Sequence, residues 1–301
     1  MSTKTSAIIS VVIFEALIGL SPVIYKLLSP GIPSAAIVSI RWGLGAIVLL
    51  LWILTTEGFG ALKTAYSTKQ IIGIIFLGVL GSGIASLLNL IAVRNIGIVL
   101  ASMLTNLELP LGVLLGVMIL GEKLTPVYLK AAGIIAVGFL LLTIKNGIEL
   151  PAGGSYVVGV GLALIAAVIW GASTLVGKKL TSSHTPSMVA LWRLALGAVT
   201  NVVLIGASGQ SLGAVYQTIS PYDWSYLMFL GVVTSGIGFV LYYKALQSFS
   251  IHKITLLFTI SPVVSVVAGV ALGETPLAAQ WIGIGCILLG FFYLFWKKES
   301  V

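Results

Sequence analysis

Charged residues are scarce in this chain of 301 residues: only 8% are Asp, Glu, Lys or Arg. Soluble domains carry about 25% charged residues, so this composition excludes an ordinary soluble globular protein. Hydrophobic residues make up 58% of the chain. Apolar runs of about 20 residues recur along its whole length, and each is long enough to cross a bilayer as a helix. The alternating segments of a spanning β-barrel are lacking. The sequence therefore predicts an all-α, multi-pass membrane protein.

Cysteine and histidine are also rare, which excludes several kinds of site. The one cysteine, Cys286, lies in the last apolar run, so an internal disulfide is impossible. His184 and His252 lie in loops or at predicted helix ends, and the sequence has no H-E-x-x-H motif, no Cys/His metal spacing and no phosphate-binding loop. An intramembrane hydrolase would need a base at membrane depth. We therefore expect no catalytic residues, no metal site, no cofactor and no enzymatic activity.

The net charge of +8 does not indicate a nucleic-acid partner, because the basic residues mark the ends of the apolar runs instead of forming a patch. Of the 16 lysines and arginines, Arg41 and Arg193 lie inside runs. If the N-terminus is cytoplasmic, the outer side holds only Lys26, Arg94 and Lys145, and the other eleven are inside. This bias predicts a protein of the cell membrane with both termini in the cytoplasm.

Ten membrane-spanning helices are predicted from the apolar runs. They cover residues 6–27, 33–54, 70–92, 97–119, 126–144, 156–177, 187–206, 222–246, 252–272 and 276–296. The first run carries Glu15 and lacks a cleavage site, so we interpret it as a membrane helix and not a signal peptide. Thr125-Pro126 and Thr275-Pro276 each place an N-cap hydroxyl before a proline, which predicts the starts of the fifth and tenth spans.

One pattern occurs twice in the chain, 152 residues apart. Gly19, Ser21, Lys26, Arg41, Gly45 and Ala46 recur as Gly171, Ser173, Lys178, Arg193, Gly197 and Ala198. A proline ahead of Leu-Gly-Glu recurs at the same offset, and Phe-Leu-Gly-Val recurs 153 residues apart, at Phe76 and Phe229. The duplication predicts two domains, residues 1–149 and 150–301, with five spans each. Since five is an odd number, the second repeat must be inverted in the membrane, as in many secondary transporters.

Four ionisable residues lie deep in predicted spans: Glu15, Arg41, Glu108 and Arg193. A charge near the bilayer midplane costs about 2.5 kcal/mol or more, so these side chains should face the protein interior or a wet cavity. Arg41 could form a buried ion pair with Glu15 or Glu108. Because Arg41 and Arg193 are equivalent in the two repeats, they are interpreted as structural charges. Glu15 and Glu108 have no acidic counterparts, which favours a role specific to the substrate or to a coupling proton.

Prolines and aromatic residues add to the prediction of a cavity. Three prolines fall inside the first, fourth and ninth spans, where each should kink its helix: Pro22, Pro110 and Pro262. Trp170, Tyr242 and Tyr243 could form an aromatic wall for an organic ligand, although Tyr243 could instead belong to an interfacial aromatic belt.

These features resemble the drug/metabolite transporter superfamily, in its EamA-type branch, over almost the whole chain. The resemblance lies in the two five-span repeats, the Phe-Leu-Gly-Val of each copy and the doubled proline and Leu-Gly-Glu. It implies a basket of ten helices with inverted pseudo-symmetry, in which spans one, three, four, six, eight and nine surround a cavity. Members of the family move amino acids, other metabolites, nucleotide bases and drugs, many of them by export.

The resemblance also implies which residues could bind substrate, because they lie on the cavity helices. These are Glu15, Asn89, Asn106, Glu108, Trp170, Ser173, Tyr242, Tyr243 and Thr259. Arg41 and Arg193 would lie on the flanking spans two and seven. For each serine or threonine the alternative is a hydrogen bond within its own helix or to a neighbouring helix.

We therefore predict a permease that exports a small organic metabolite, such as an amino acid, by alternating access around a midplane cavity. A proton-coupled exporter of cationic drugs using Glu15 is the alternative within the transport class. A membrane sensor or assembly factor is the alternative outside it, but the sequence lacks a long hydrophilic stretch for an output domain. The expected partners are the small-molecule substrate and the lipid bilayer, and both a monomer and a homodimer are compatible with these features.

Overall fold

Helices form all the regular structure in the part of the chain that the computed structural model describes, which is residues 3–108, 110–112, 114–115, 126–143, 154–248 and 260–296. The N-terminal half contains α1 (Thr3–Gly19), α2 (Ser21–Leu27), α3 (Ser34–Thr56), a 3₁₀ helix (Phe59–Lys63), α4 (Thr68–Ile75), a first π-helix (Phe76–Ile84), α5 (Ala85–Ile96), α6 (Ile98–Thr105) and α7 (Pro126–Thr143). The C-terminal half contains α8 (Ser155–Thr181), α9 (Pro186–Ala207), α10 (Leu212–Gln217), α11 (Pro221–Met228), a second π-helix (Phe229–Ile237), α12 (Gly238–Ser248), α13 (Ile260–Ala271) and α14 (Ala278–Trp296).

Within the described residues, six helical stretches are long and apolar enough to cross a membrane. They are Ile9–Leu27, Ser34–Thr56, Thr68–Ile96, Ser155–Thr181, Pro186–Ala207 and Pro221–Tyr243. Shorter apolar helices coincide with the other predicted spans, namely Ile98–Gly112, Leu129–Leu141, Ile260–Ala271 and Ala278–Gly290. The predicted all-helical membrane fold is thus confirmed, while the number of spans and their inversion stay predictions.

The first span is interrupted where Pro22 predicts a kink. Helix α1 ends at Gly19 and α2 begins at Ser21, with Pro22 in its first turn. The Oγ of Ser265, in α13, donates a hydrogen bond of 2.7 Å to the carbonyl of Gly19. The interruption therefore leaves this backbone acceptor satisfied by a helix of the other half.

The start of the last helix differs from the prediction. Thr275 and Pro276 precede it in irregular chain, and α14 begins at Ala278. The backbone N–H of Leu277 donates to Oε1 of Gln280 at 2.9 Å, so the side chain of Gln280 satisfies the first free donor in place of a threonine hydroxyl. At the equivalent turn, α7 begins at Pro126 as predicted, and Thr125 lies outside the described residues.

Both copies of Phe-Leu-Gly-Val form π-helices, which stand at equivalent positions and pack against long helices of the opposite half. The first π-helix packs on α9 and the second on α3. Glycine allows the close approach: a Cβ on Gly197 would lie 2.6 Å from Cβ of Ser82, and one on Gly45 would lie 3.0 Å from Cβ of Ser235. Helices α7 and α14 pack along each other.

Candidate functional site

A cavity of about 130 Å³ lies among α1, α2, α3, α5, α6, α8, α9, α12 and α13. Two breaks in the helices border it. Ser21 and Pro22 follow the break between α1 and α2, and Asn106 and Glu108 follow the end of α6. Interrupted helices at a site are common in transporters, because non-helical backbone is tolerated where it lines a cavity.

The four intramembrane charges meet at this cavity. Glu15, Arg41, Glu108 and Arg193 all line it, and their formal charges cancel. Glu108 interacts electrostatically with both Glu15 and Arg193. Among the described residues, however, neither guanidinium donates a hydrogen bond to a carboxylate. The cavity therefore presents separate positive and negative groups that are not consumed in an ion pair with each other.

The two arginines are instead held by hydroxyl groups. Nε of Arg41 donates to Oγ of Ser235 at 2.9 Å, and Nε of Arg193 donates to Oγ of Ser82 at 3.0 Å. Each serine lies in the π-helix of the opposite half, so the two contacts are equivalent. A tyrosine completes each site: Arg41 also donates to the hydroxyl of Tyr25, and Arg193 donates to that of Tyr243 at 3.1 Å.

Aromatic rings form one wall of the cavity. Phe239 packs edge-on against Phe14 and Trp42, with centroid distances of 5.7 and 5.5 Å. The indole N–H of Trp42 donates to the carbonyl of Ser82 at 2.7 Å, and that of Trp170 donates to Gly81 at 2.8 Å. Since these polar atoms are satisfied by the first π-helix, the rings are held in place and offer apolar surface to a ligand.

A second wall carries hydroxyl and amide groups from α2, α5 and α6. Ser21, Ser86, Asn89 and Ser102 line the cavity, and each is at most 8% exposed. The Oγ atoms of the serines and Oδ1 of Asn89 have no hydrogen-bond partner among the described residues. By contrast, Thr105 donates to the carbonyl of Ala101 at 2.9 Å, within its own helix.

Most of the predicted site residues come together at the cavity, but two do not. Those that line it are Glu15, Asn89, Asn106, Glu108, Trp170 and Tyr242, together with Arg41 and Arg193. Ser173 is not in the lining and donates to the carbonyl of Ile169 at 2.8 Å. Tyr243 is fully buried behind the cavity, against Arg193. Thr259 lies outside the described residues.

Several lining residues were not predicted from the sequence, including Ser21, Tyr25 and Ser86. Ser86 could have been predicted to line the cavity, because it precedes Asn89 by three residues and the two therefore share a helix face. Tyr25 follows Ser21 by four residues, which is the same relation on α2.

Comparison with known proteins gives the family. Residues 5–144 and 157–296 each match the EamA-like transporter family. The "uncharacterized transporter YyaM" of Bacillus subtilis is 23% identical over 250 residues, which cover 83% of this chain and 80% of that protein. A "probable terminal-alkyne amino-acid exporter" of Streptantibioticus cattleyicolor is 29% identical over 196 residues, covering 63% and 62%.

A solved crystal structure has the same fold, with a TM-score of 0.68 over 96% of both chains at 19% identity. The family matches and the relatives named as transporters confirm the resemblance noted from the sequence, and they indicate a membrane transporter and not an enzyme. Because the two family matches take in most of its length, the chain belongs to the EamA-like transporter family.

Proposed function

We propose that this protein is a secondary transporter that exports a small organic metabolite, such as an amino acid, across the cell membrane. The observation that carries the proposal is that two carboxyl groups and two guanidinium groups line one small cavity, namely those of Glu15, Glu108, Arg41 and Arg193. An amino acid carries one ammonium and one carboxylate group. Charge-assisted hydrogen bonds to both are the strongest polar contacts that such a cavity can offer.

The size of the cavity favours a small metabolite over a drug. A cavity of about 150 Å³ holds a molecule as large as benzene, whereas pockets for drug-sized ligands measure about 300–1,000 Å³. The observed volume is about 130 Å³. A proton-coupled exporter of cationic drugs would use Glu15 as well, but it would need a larger chamber than this conformation contains.

One relative supports the same class of substrate. The Streptantibioticus cattleyicolor protein is named for amino-acid export and is 29% identical to this chain. Its name agrees with a zwitterionic substrate and with the outward direction of transport.

Reciprocal contacts support ten spans arranged as two inverted repeats, residues 1–149 and 150–301. Arg41 reaches the second π-helix, and its counterpart Arg193 reaches the first. Gly45 and Gly197 likewise approach the π-helix of the opposite half. Such an exchange of equivalent contacts is expected of a pseudo-two-fold axis. With the positive-inside bias, the axis would lie in the membrane plane and both termini would be cytoplasmic.

In this arrangement the halves would expose the cavity to each side in turn. The breaks after Gly19 and Thr105 lie beside the cavity, where they let the ends of the first and fourth spans move separately. Binding energy can shift the equilibrium between the two open states only through contacts that differ between them. The charged groups on several helices provide such contacts.

Transport by purified protein in liposomes tests the proposal. The assay uses a panel of labelled amino acids and one cationic dye, with and without a pH gradient, and compares the wild type with Glu15→Gln. Glu299→Gln, near the C-terminus, is the control with the same chemical change. We expect amino-acid flux in the wild type and in the control. Dye flux that requires the gradient and is lost in Glu15→Gln would favour the drug exporter, and the absence of both fluxes would overturn transport of either class.

A further inference from the structure

We infer that Ser21, Ser86, Asn89 and Ser102 form a hydrogen-bonding subsite for the side chain of the substrate, which would be a small zwitterion bearing a hydroxyl or carboxamide group. We call these four residues the hydroxyl wall. The inference rests on the proposed function, because it assigns a substrate class to the same cavity. It concerns the part of the substrate that the charged residues do not bind.

The polar side chains of the hydroxyl wall are buried, and their oxygen atoms lack hydrogen-bond partners among the described residues. The exposed fractions of these side chains are 2–8%. Buried polar atoms in folded proteins are nearly always hydrogen-bonded, so a cluster of unpartnered ones at a cavity indicates a polar occupant. Because three helices contribute to the cluster, it is not explained by polar residues that happen to share one helix face.

The hydroxyl wall differs from neighbouring polar residues in its hydrogen bonding. Serine and threonine hydroxyls in membrane helices commonly bond to the preceding turn of their own helix. Thr105 and Thr174 line the cavity and do so, with bonds of 2.9 and 3.2 Å. Ser86 and Ser102 do not. Serine hydroxyls can bond to a carbonyl of their own helix, but these two do not, so they are available to a ligand.

Different parts of the substrate would bind different parts of the cavity. The ammonium and carboxylate of a zwitterion are attracted to Glu15, Glu108 and Arg193, since bonds between charged groups are stronger than those to neutral hydroxyls. The hydroxyl wall is therefore left to a neutral group. Oδ1 of Asn89 needs a donor, while the serine hydroxyls can donate or accept. A hydroxyl or a carboxamide meets both demands, and a methyl group meets neither.

Competition between isosteric amino acids tests the inference. Flux of labelled threonine and valine, which exchange a hydroxyl for a methyl group, is measured in proteoliposomes for the wild type, Ser86→Ala and Ser102→Ala. We expect kcat/KM for threonine to exceed that for valine by about tenfold or more, because a site built to hydrogen-bond a hydroxyl rejects the analogue that lacks it. Each alanine variant should lower the threonine value and leave the valine value unchanged.

Two further variants separate binding from folding. Ser102→Thr keeps the hydroxyl and should retain part of the preference for threonine, whereas Ser208→Ala, at the end of α9 and outside the cavity, should match the wild type. Equal transport of threonine and valine in all variants would overturn the inference and leave the proposed function standing. An equal loss of both fluxes in folded alanine variants would overturn it too, as a purely structural effect. If no amino acid is transported, the proposed function fails, and the inference with it.

Discussion

The two intramembrane arginines are equivalent in the repeats but use their nitrogens differently. In Arg41 all three nitrogens donate: to Ser235, to Tyr25 and, at 3.5 Å, to Thr234. In Arg193 only Nε and Nη1 donate to the described residues, although the side chain lines the cavity. Nη2 of Arg193 is thus the guanidinium nitrogen best able to bind a carboxylate of the substrate.

We expect this difference to separate two otherwise matched substitutions. Arg41→Lys should lower stability by about 1.5–3 kcal/mol, the range for buried hydrogen bonds to a charged group, because lysine cannot reproduce the planar fork. Arg193→Lys should raise KM for the transported amino acid about tenfold. Thermal unfolding in detergent and initial rates in proteoliposomes measure the two effects. The same change in KM for both variants would contradict the assignment.

Single residues of the site were predictable where their chemistry is unusual for a membrane. Glu15 and Glu108 stand out because a charge at that depth is costly without a polar environment. Ser21 and Ser86 do not stand out, since serine can satisfy itself within its helix. Only the rotation of each helix decides whether such a residue faces the cavity or its own backbone, as the different outcomes for Ser102 and Ser173 illustrate.

Close packing of helices depends on single glycines, and α9 provides a matched pair. A Cβ on Gly197 would lie 2.6 Å from Cβ of Ser82, with backbone atoms of the first π-helix 3.2 and 3.3 Å away. Gly206, on the same helix, has no atom within 4 Å of that position. We expect Gly197→Ala to destabilise the protein by about 1–3 kcal/mol through overpacking. Gly206→Ala should be neutral or stabilising by up to about 1 kcal/mol, the helix propensity difference. Unfolding midpoints in detergent check both, and equal midpoints would argue against this packing.

Helices were easier to predict than their irregularities. The kink at Pro22 followed from the missing N–H of proline. The π-helices did not, because Phe76–Ile84 and Phe229–Ile237 are apolar like the other helical runs, and nothing in that pattern marks the widened turn that packs against α9 and α3. The start of α14 at Ala278 was not predicted either, and there the side chain of Gln280 accepts the hydrogen bond from the backbone N–H of Leu277.

At the scale of the whole molecule, the duplication in the sequence anticipated the reciprocal contacts between halves. It could not anticipate where the halves differ. Ser29 donates to Asp223 through its backbone N–H and its Oγ, at 3.0 and 2.8 Å. At the corresponding place in the other repeat, Gln70 donates to Oγ of Ser183 at 3.1 Å, in an exposed position. One link thus involves a buried carboxylate, and the other joins two neutral side chains in an exposed position.

Two carboxylates form further links between the halves. Oε1 and Oε2 of Glu274 accept hydrogen bonds from the N–H groups of Ile98 and Val99, at 2.7 and 2.9 Å, which caps α6. Glu57 accepts a hydrogen bond from the hydroxyl of Ser187 at the start of α9. In the proposed topology Glu274 lies on the outer side and Glu57 on the inner side. We expect each link to break when the transporter opens to that side.

Substituting one carboxylate at a time should therefore bias the transporter in opposite directions. The free thiol Cys286 is first replaced by serine, and Thr105→Cys supplies a thiol in the cavity lining for a membrane-impermeant reagent. We expect Glu274→Ala to raise labelling from the outer side several-fold, since α6 loses two charge-assisted caps. Glu57→Ala should raise labelling from the inner side. Labelling that rises from the same side in both variants would contradict the proposed topology, and labelling unchanged in both would show that these links do not hold the transporter closed.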